Sequence, residues 1–314
     1  MDQRALRVIA TLLTLAVMLP FLPAQAEIYQ WRDANGKLHF GDRPPGEQPV
    51  DVVTPRVSQA SAPLEIHVRH QDFTLPNGLH EQTLRAIETI YQRYRKDFGL
   101  DLNGTAEVNL HLFTKQADFR QWMEARIGNS NPHYAGVFLP RTNEVAVWRW
   151  DADDDKVAQT ILHESSHVLL YQLSPASPVW MHEGLAQYFQ MLKVQDNSRA
   201  VVTALPSAQA RIQQWLDDGN LITMRQYLSM DDQQWRRLAH QLNAIPYTVA
   251  WGTTAFLMSK PVGRSTLRRL LQDLEKSDQR PDLERIAHLY PGGLSRLEYD
   301  FYRWAQQGMK PEVF

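Results

Sequence analysis

The sequence predicts an α+β protein, with strands gathered early and helices filling the second half. Three observations carry that prediction. Short apolar or alternating segments bounded by turn residues all lie before residue 151. Beyond Trp150 the apolar residues recur at helical spacing almost to the last residue. The 314 residues are 43% apolar and 22% charged, enough for one sizeable core plus a small module. Strands followed by helices belong to the α+β class rather than to an alternating α/β chain.

The first 26 residues read as an address rather than as structure. Arg4 and Arg7 precede an apolar run at 8–22, and Ala24-Gln25-Ala26 forms a small-x-small site. That is the layout of a secretory signal cleaved after Ala26. No later segment offers the about 18 apolar residues that a membrane span needs. The expectation is a periplasmic or secreted bacterial protein with no stable membrane span once the signal is gone. The chain has no cysteine, which suits export and excludes disulfides, thiolate metal sites and thiol catalysis. Any metal must be held by His, Asp or Glu. A net charge of -2 leaves no basic excess for a nucleic-acid partner.

Residues 27–45 read EIYQWRDANGKLHFGDRPP, two strand-like runs around an Asn-Gly turn at 33–36. Through Tyr29, Trp31, Asp33, Gly36, Asp42, Pro44 and Pro45 this hairpin resembles a short module of unknown function that begins many exported bacterial proteins. It is too small to hold a core alone, and its aromatic rings offer a surface for an envelope partner. Residues 46–63, with Pro49, Pro55 and Pro63, read as a semi-stiff linker. The main domain spans 64–314. It opens with a strand at 64–69, a helix at 79–97, a strand at 107–113 and a helix at 116–125. Residues 134–139 and 144–150 read as a strand pair turning at Pro140-Arg141-Thr142-Asn143, and helices follow, including 266–276 and 283–290.

The chemistry concentrates at 160–170, TILHESSHVLL. His163 and His167 are four apart, so a helix puts both imidazoles on one face, one turn apart. Glu164 points about 100° away, able to reach a metal-bound water without occupying the metal. Asp153, Asp154 and Asp155 supply a favourable helix N-terminus. A catalytic zinc site takes three protein ligands and keeps one open position. Sixteen residues past His167 lies Glu183, inside SPVWMHEGLAQYF. Pro178 can start a helix there, and Trp180, Met181, Leu185, Tyr188 and Phe189 make it apolar enough to pack inward. A carboxylate on such a helix needs a partner, and a metal supplies one. Gly184 would let this helix approach the HESSH helix closely. His182 is the alternative ligand, since helical geometry lets only one of the two neighbours face the ion.

The HESSH helix and the PVWMHEGLAQYF segment together resemble the peptidase MA-like branch of the gluzincin zinc metallopeptidases. Thr160, Ser165, Ser166, Val168 and Leu169 fit the extended first motif, and Glu183, Gly184 and Ala186 fit its E-G-x-A segment. The match spans about residues 130–195. The resemblance implies a zincin-like domain that holds Zn²⁺ through His163, His167 and Glu183. It implies hydrolysis of a peptide or protein substrate by a metal-activated water, with Glu164 as general base. It also implies that the strand at 144–148 is the edge that holds an extended substrate. A downstream Tyr stabilises the oxyanion in such enzymes, and Tyr247 in IPYTVAWGTTAFLM fits that role, with Tyr188 and Tyr290 as weaker candidates. One departure is Gln187, where many gluzincins place an acid that bonds a zinc histidine. His39, His111, His240 and His288 have no ligand spacing. Arg264, Arg268 and Arg269 read as a small solvated basic face. Two other readings stay open: a zinc-binding envelope protein with weak or no turnover, and a zinc hydrolase acting on cell-wall amide bonds.

Overall fold

The computed structural model describes residues 28–32, 38–41 and 51–53, and then 62–314 apart from 72, 103, 129–130, 196–198, 243 and 277–282. The signal segment and the hairpin turn at 33–36 lie outside the described residues. The chain divides into two compact units, Met1–Ala60 and Ser61–Phe314.

In the first unit, β1 (Ile28–Arg32) and β2 (Leu38–Gly41) pair antiparallel, with Arg32 opposite Leu38. A third strand, β3 (Asp51–Val53), pairs with the other edge of β1, giving the order β2-β1-β3. Residues 51–53 therefore belong to a sheet, although the surrounding prolines read as linker. Val52 and Val53 are β-branched, and the open edge of β1 offers backbone groups that a strand can satisfy.

The second unit begins with β4 (Leu64–Gln71), α1 (Asn77–Phe98), β5 (Ala106–Phe113) and α2 (Gln116–Ile127). β6 (Gly136–Leu139) and β7 (Glu144–Trp148) follow. Together the strands make a sheet in the order β4-β5-β7-β6, parallel except for β6. The edge strand beside the helices is thus β6, not 144–148 as the family resemblance implies. Burial explains the choice. Val145, Ala146 and Val147 of β7 are fully buried, as a central strand requires, whereas every residue of β6 is half-exposed. In α1, Ile87, Ile90, Tyr91, Tyr94 and Phe98 repeat at helical spacing and are all fully buried. Gly99 ends that helix with φ 68°, a left-handed conformation that a side chain would strain.

Two helices then carry the motifs: α3 (Asp154–Leu173) and α4 (Val179–Phe189). α3 packs on α1, α4, β6 and β7, so it lies against the sheet beside its open edge. β8 (Leu192–Val194) and β9 (Ala200–Val202) lead into α5 (Pro206–Asp217), α6 (Met224–Leu228), α7 (Asp232–Leu242) and α8 (Ala244–Met258). The chain continues through α9 (Pro261–Lys276), α10 (Leu283–Leu289) and α11 (Gly293–Gln307) to β10 (Glu312–Val313). The helix expected at 266–276 falls within α9, and the one expected at 283–290 matches α10 but for its last residue. α8 is apolar all round and packs against α4, α5, α7, α9 and α11, as a central helix does. The antiparallel sheet β10-β9-β8 has strands of two or three residues, too short for a periodic signal in the sequence.

Candidate metal centre

α3 starts where its three aspartates predict. The Asp153 carboxylate accepts the Asp155 amide at 3.0 Å, and Asp154 and Asp155 fill the first turn. Pro178 precedes the first residue of α4, and the Val179 amide donates to Asp232 of α7 at 3.1 Å. With both helices anchored, His163, His167 and Glu183 converge. The two histidine Nε2 atoms lie 3.2 Å apart, and each is 3.7 Å from Glu183 Oε2. The point equidistant from these three atoms lies about 2.1 Å from each, the bond length of zinc to imidazole nitrogen and carboxylate oxygen. Among the described residues these ligating atoms all lie within 4.8 Å of one another, a set that could hold a metal ion.

The protonation pattern fits a cation as well. His163 Nδ1 donates to Gln190 Oε1 at 3.0 Å, which leaves its Nε2 lone pair aimed at the centre. Burial pulls the His163 pKa down to about 4, against the smaller upward pull of Gln190. Burial, with His163 and His182 nearby, holds His167 well below its ordinary value. Both rings are therefore neutral at pH 7, as ligation needs. The His167 ring stacks on Phe138 of β6, with centroids 4.9 Å apart and planes 25° apart. Burial raises the Glu183 carboxyl to about 7, and Arg236 pulls it back. Two neutral imidazoles and a buried carboxylate facing one point form a set that could hold a cation.

Glu164 lies beside this set. Burial and the Glu183 charge raise its pKa to about 8. Gly136 of the edge strand passes directly over it. A Cβ there would stand 2.9 Å from Glu164 Cγ and 3.0 Å from Thr160 Cγ2. The glycine thus lets β6 and α3 close on the carboxylate, and Tyr134 and Trp150 stay exposed at that end of the strand pair. Tyr247, in the first turn of α8, is half-buried with its ring 4.9 Å from that of Trp235. Burial and the Glu183 charge push its pKa up to about 12, with Tyr134 and Glu164 also acting on it. The phenol therefore shares the electrostatic surroundings of the two carboxylates and stays protonated at neutral pH.

Other expectations need correction. Tyr188 gives its hydroxyl to Glu312 at 2.8 Å and Tyr290 gives its own to Asp300 at 2.9 Å, so neither is free to act on a substrate. Among the described residues, Gln187 makes no hydrogen bond to His163 or His167. It donates to the Tyr247 carbonyl at 3.1 Å, and Gln190 takes the histidine instead. Gln190 lies seven residues after Glu183, two turns on along the same helical face, and that spacing was the available signal. His182 is not part of the converging set, and its ring centre is 5.9 Å from that of His167. Gly184 permits close approach to α8, where a Cβ would strike Thr254 and the Ala250 carbonyl, and not to α3. His111 is buried with Nε2 3.1 Å from Glu144, His240 and His288 are exposed, and the side chain of His39 lies outside the described residues. Arg268 is more than a solvated charge, since it donates to the Lys96 and Asp97 carbonyls and so caps α1.

Residues 157–281 match the family model described as a protein of unknown function, DUF1570, and residues 15–65 match that of a domain of unknown function, DUF4124. The DUF1570 segment contains the two histidines, Glu164, Glu183, Gln190 and Tyr247, but not the sheet whose edge covers them. The DUF4124 segment takes in β1, β2 and β3. DUF4124 is common in exported bacterial proteins. No curated protein matches the chain. Among the described residues, no helix is long and apolar enough to cross a membrane.

Proposed function

We propose that this protein is an exported zinc-dependent peptidase of the gluzincin kind, periplasmic or secreted, acting on a peptide or protein substrate. The observation that carries the reading is the triangle of His163, His167 and Glu183 atoms, sized for a zinc ion and flanked by a carboxylate that does not belong to it. Those three residues would hold the ion. Zinc bound there supplies a Lewis acid that polarises a carbonyl and makes water acidic enough to attack at neutral pH.

The remaining roles fall to the chain's own groups. The free edge of β6 pairs with an extended peptide backbone and lays it beside Glu164. Glu164 accepts a proton from the attacking water and returns it to the leaving amine. The Tyr247 phenol donates to the oxygen that gains charge as the carbonyl carbon becomes tetrahedral. Gln190 and Phe138 fix the two imidazole planes, one by a hydrogen bond and one by stacking.

Glu164→Gln is the decisive variant. It keeps the shape of the side chain and removes its capacity to take a proton. The expected result is a protein with one zinc per chain by elemental analysis and a peptide-cleavage rate lower by at least about a thousandfold. Full cleavage by that variant, or wild-type protein purified without chelator and free of metal, would overturn the proposal.

A further inference from the structure

α7 packs against α4 and α8, the helices that carry Glu183 and Tyr247. Asp232 holds the Val179 amide at the first residue of α4. Trp235 is buried, donates its indole N–H to Tyr227 at 3.0 Å and packs edge-on against Tyr247. Tyr227 in turn donates to the Pro246 carbonyl at 2.9 Å, so α7 is pinned to the starts of both α4 and α8. One turn along α7 from Asp232 stands Arg236, and one turn along α4 from Val179 stands Glu183. Asp232 and Arg236 therefore share one face of α7, the face that meets the start of α4. Consistent with that placement, the Arg236 charge acts on both Glu183 and Tyr247.

Arg236 is exposed, and among the described residues it makes no ion pair and no side-chain hydrogen bond. An unpaired guanidinium beside the proposed site has its whole donor fork available for a planar acceptor. Glu183 already has work in the proposed chemistry as a ligand, and Asp232, one turn back on α7, accepts the Val179 amide. We propose that Arg236 recognises a carboxylate of the substrate, carried either by an acidic side chain or by a free C-terminus. This inference rests on the peptidase reading and adds a substrate class to it.

Binding tests it without turnover. Zinc-loaded full-length Glu164→Gln protein is titrated calorimetrically with a neutral decapeptide, acetylated and amidated. The companion probes place one Glu at each position in turn, and a final probe carries the neutral sequence with its C-terminus free. At least one Glu probe or the free-terminus probe should bind about tenfold more tightly than the neutral peptide, and less so at high salt. The Glu series and the free terminus tell the two carboxylate sources apart. Adding Arg236→Gln should bring the ratio to about one, and Arg236→Glu should turn the preference toward a Lys-bearing peptide. Equal binding of every probe, or a preference that survives Arg236→Gln, overturns the inference and leaves the peptidase reading intact. Failure of every probe, the neutral one included, removes both.

Discussion

At the residue scale, the site depends on which nitrogen of each imidazole keeps its proton. Gln190 fixes that for His163 by accepting from Nδ1 at 3.0 Å. A neutral amide orients the ring but adds less basicity than a carboxylate would. Gln190→Ala should weaken zinc binding about tenfold to a hundredfold, measured by competition with a chromophoric chelator. Gln187→Ala, which removes a contact to the Tyr247 carbonyl, should leave that affinity almost unmoved. Equal losses in the two variants would mean that the Gln190 contact does not set the ligand. His167 lacks such an acceptor, since its buried Nδ1 has no hydrogen-bond partner among the described residues, and the Phe138 ring holds its plane.

At the scale of elements, the open edge of β6 depends on β7 staying inside the sheet. Glu144, the first residue of β7, ties this corner together. It accepts from Thr142 at 2.6 Å and from Arg126 of α2 at 3.1 Å, and His111 of β5 lies 3.1 Å away. Burial pushes the Glu144 pKa up, but the Thr142 and Arg126 hydrogen bonds outweigh it and hold it below the ordinary 4.5. Its contribution to stability is thus present above 4.5 and lost as pH falls through the lower folded value. Burial also holds His111 below the ordinary 6.5, so the unfolded chain takes up that proton first and stability falls below this pH too. Glu144→Gln should cost about 1–3 kcal/mol at pH 7 and flatten the acid limb below about pH 4.5. Urea unfolding across that pH range checks both. A variant with wild-type acid sensitivity would remove Glu144 from the account.

For the whole molecule, the proposed ion joins two helices, α3 and α4, that also meet through the hydrogen bond between His163 and Gln190. α3 rests on the sheet, while α4 rests on α8 through Gly184. A ligand that binds only the folded chain stabilises it by mass action, about 2.7 kcal/mol at a hundred times its Kd. Chelator-treated protein should therefore unfold at lower temperature, and added zinc should restore the midpoint. His167→Ala should abolish the zinc response. An unchanged midpoint with and without metal would contradict a bridging site.

The sequence by itself determined the α+β order, the two anchored helices and the residues that meet between them. Those features are written in local chemistry: HESSH spacing, three aspartates at a helix start, a proline before the next helix and a carboxylate inside an apolar run. The tertiary structure alone decided which strand of the pair became the edge, which glutamine reached the histidine and which helix lay against Gly184. It also decided that residues 51–53 and 312–313 pair as strands. Each of those outcomes turns on competition among distant surfaces for burial. A central strand is the one whose two faces both find apolar neighbours, and a polar side chain bonds whatever the packing of other elements brings within reach.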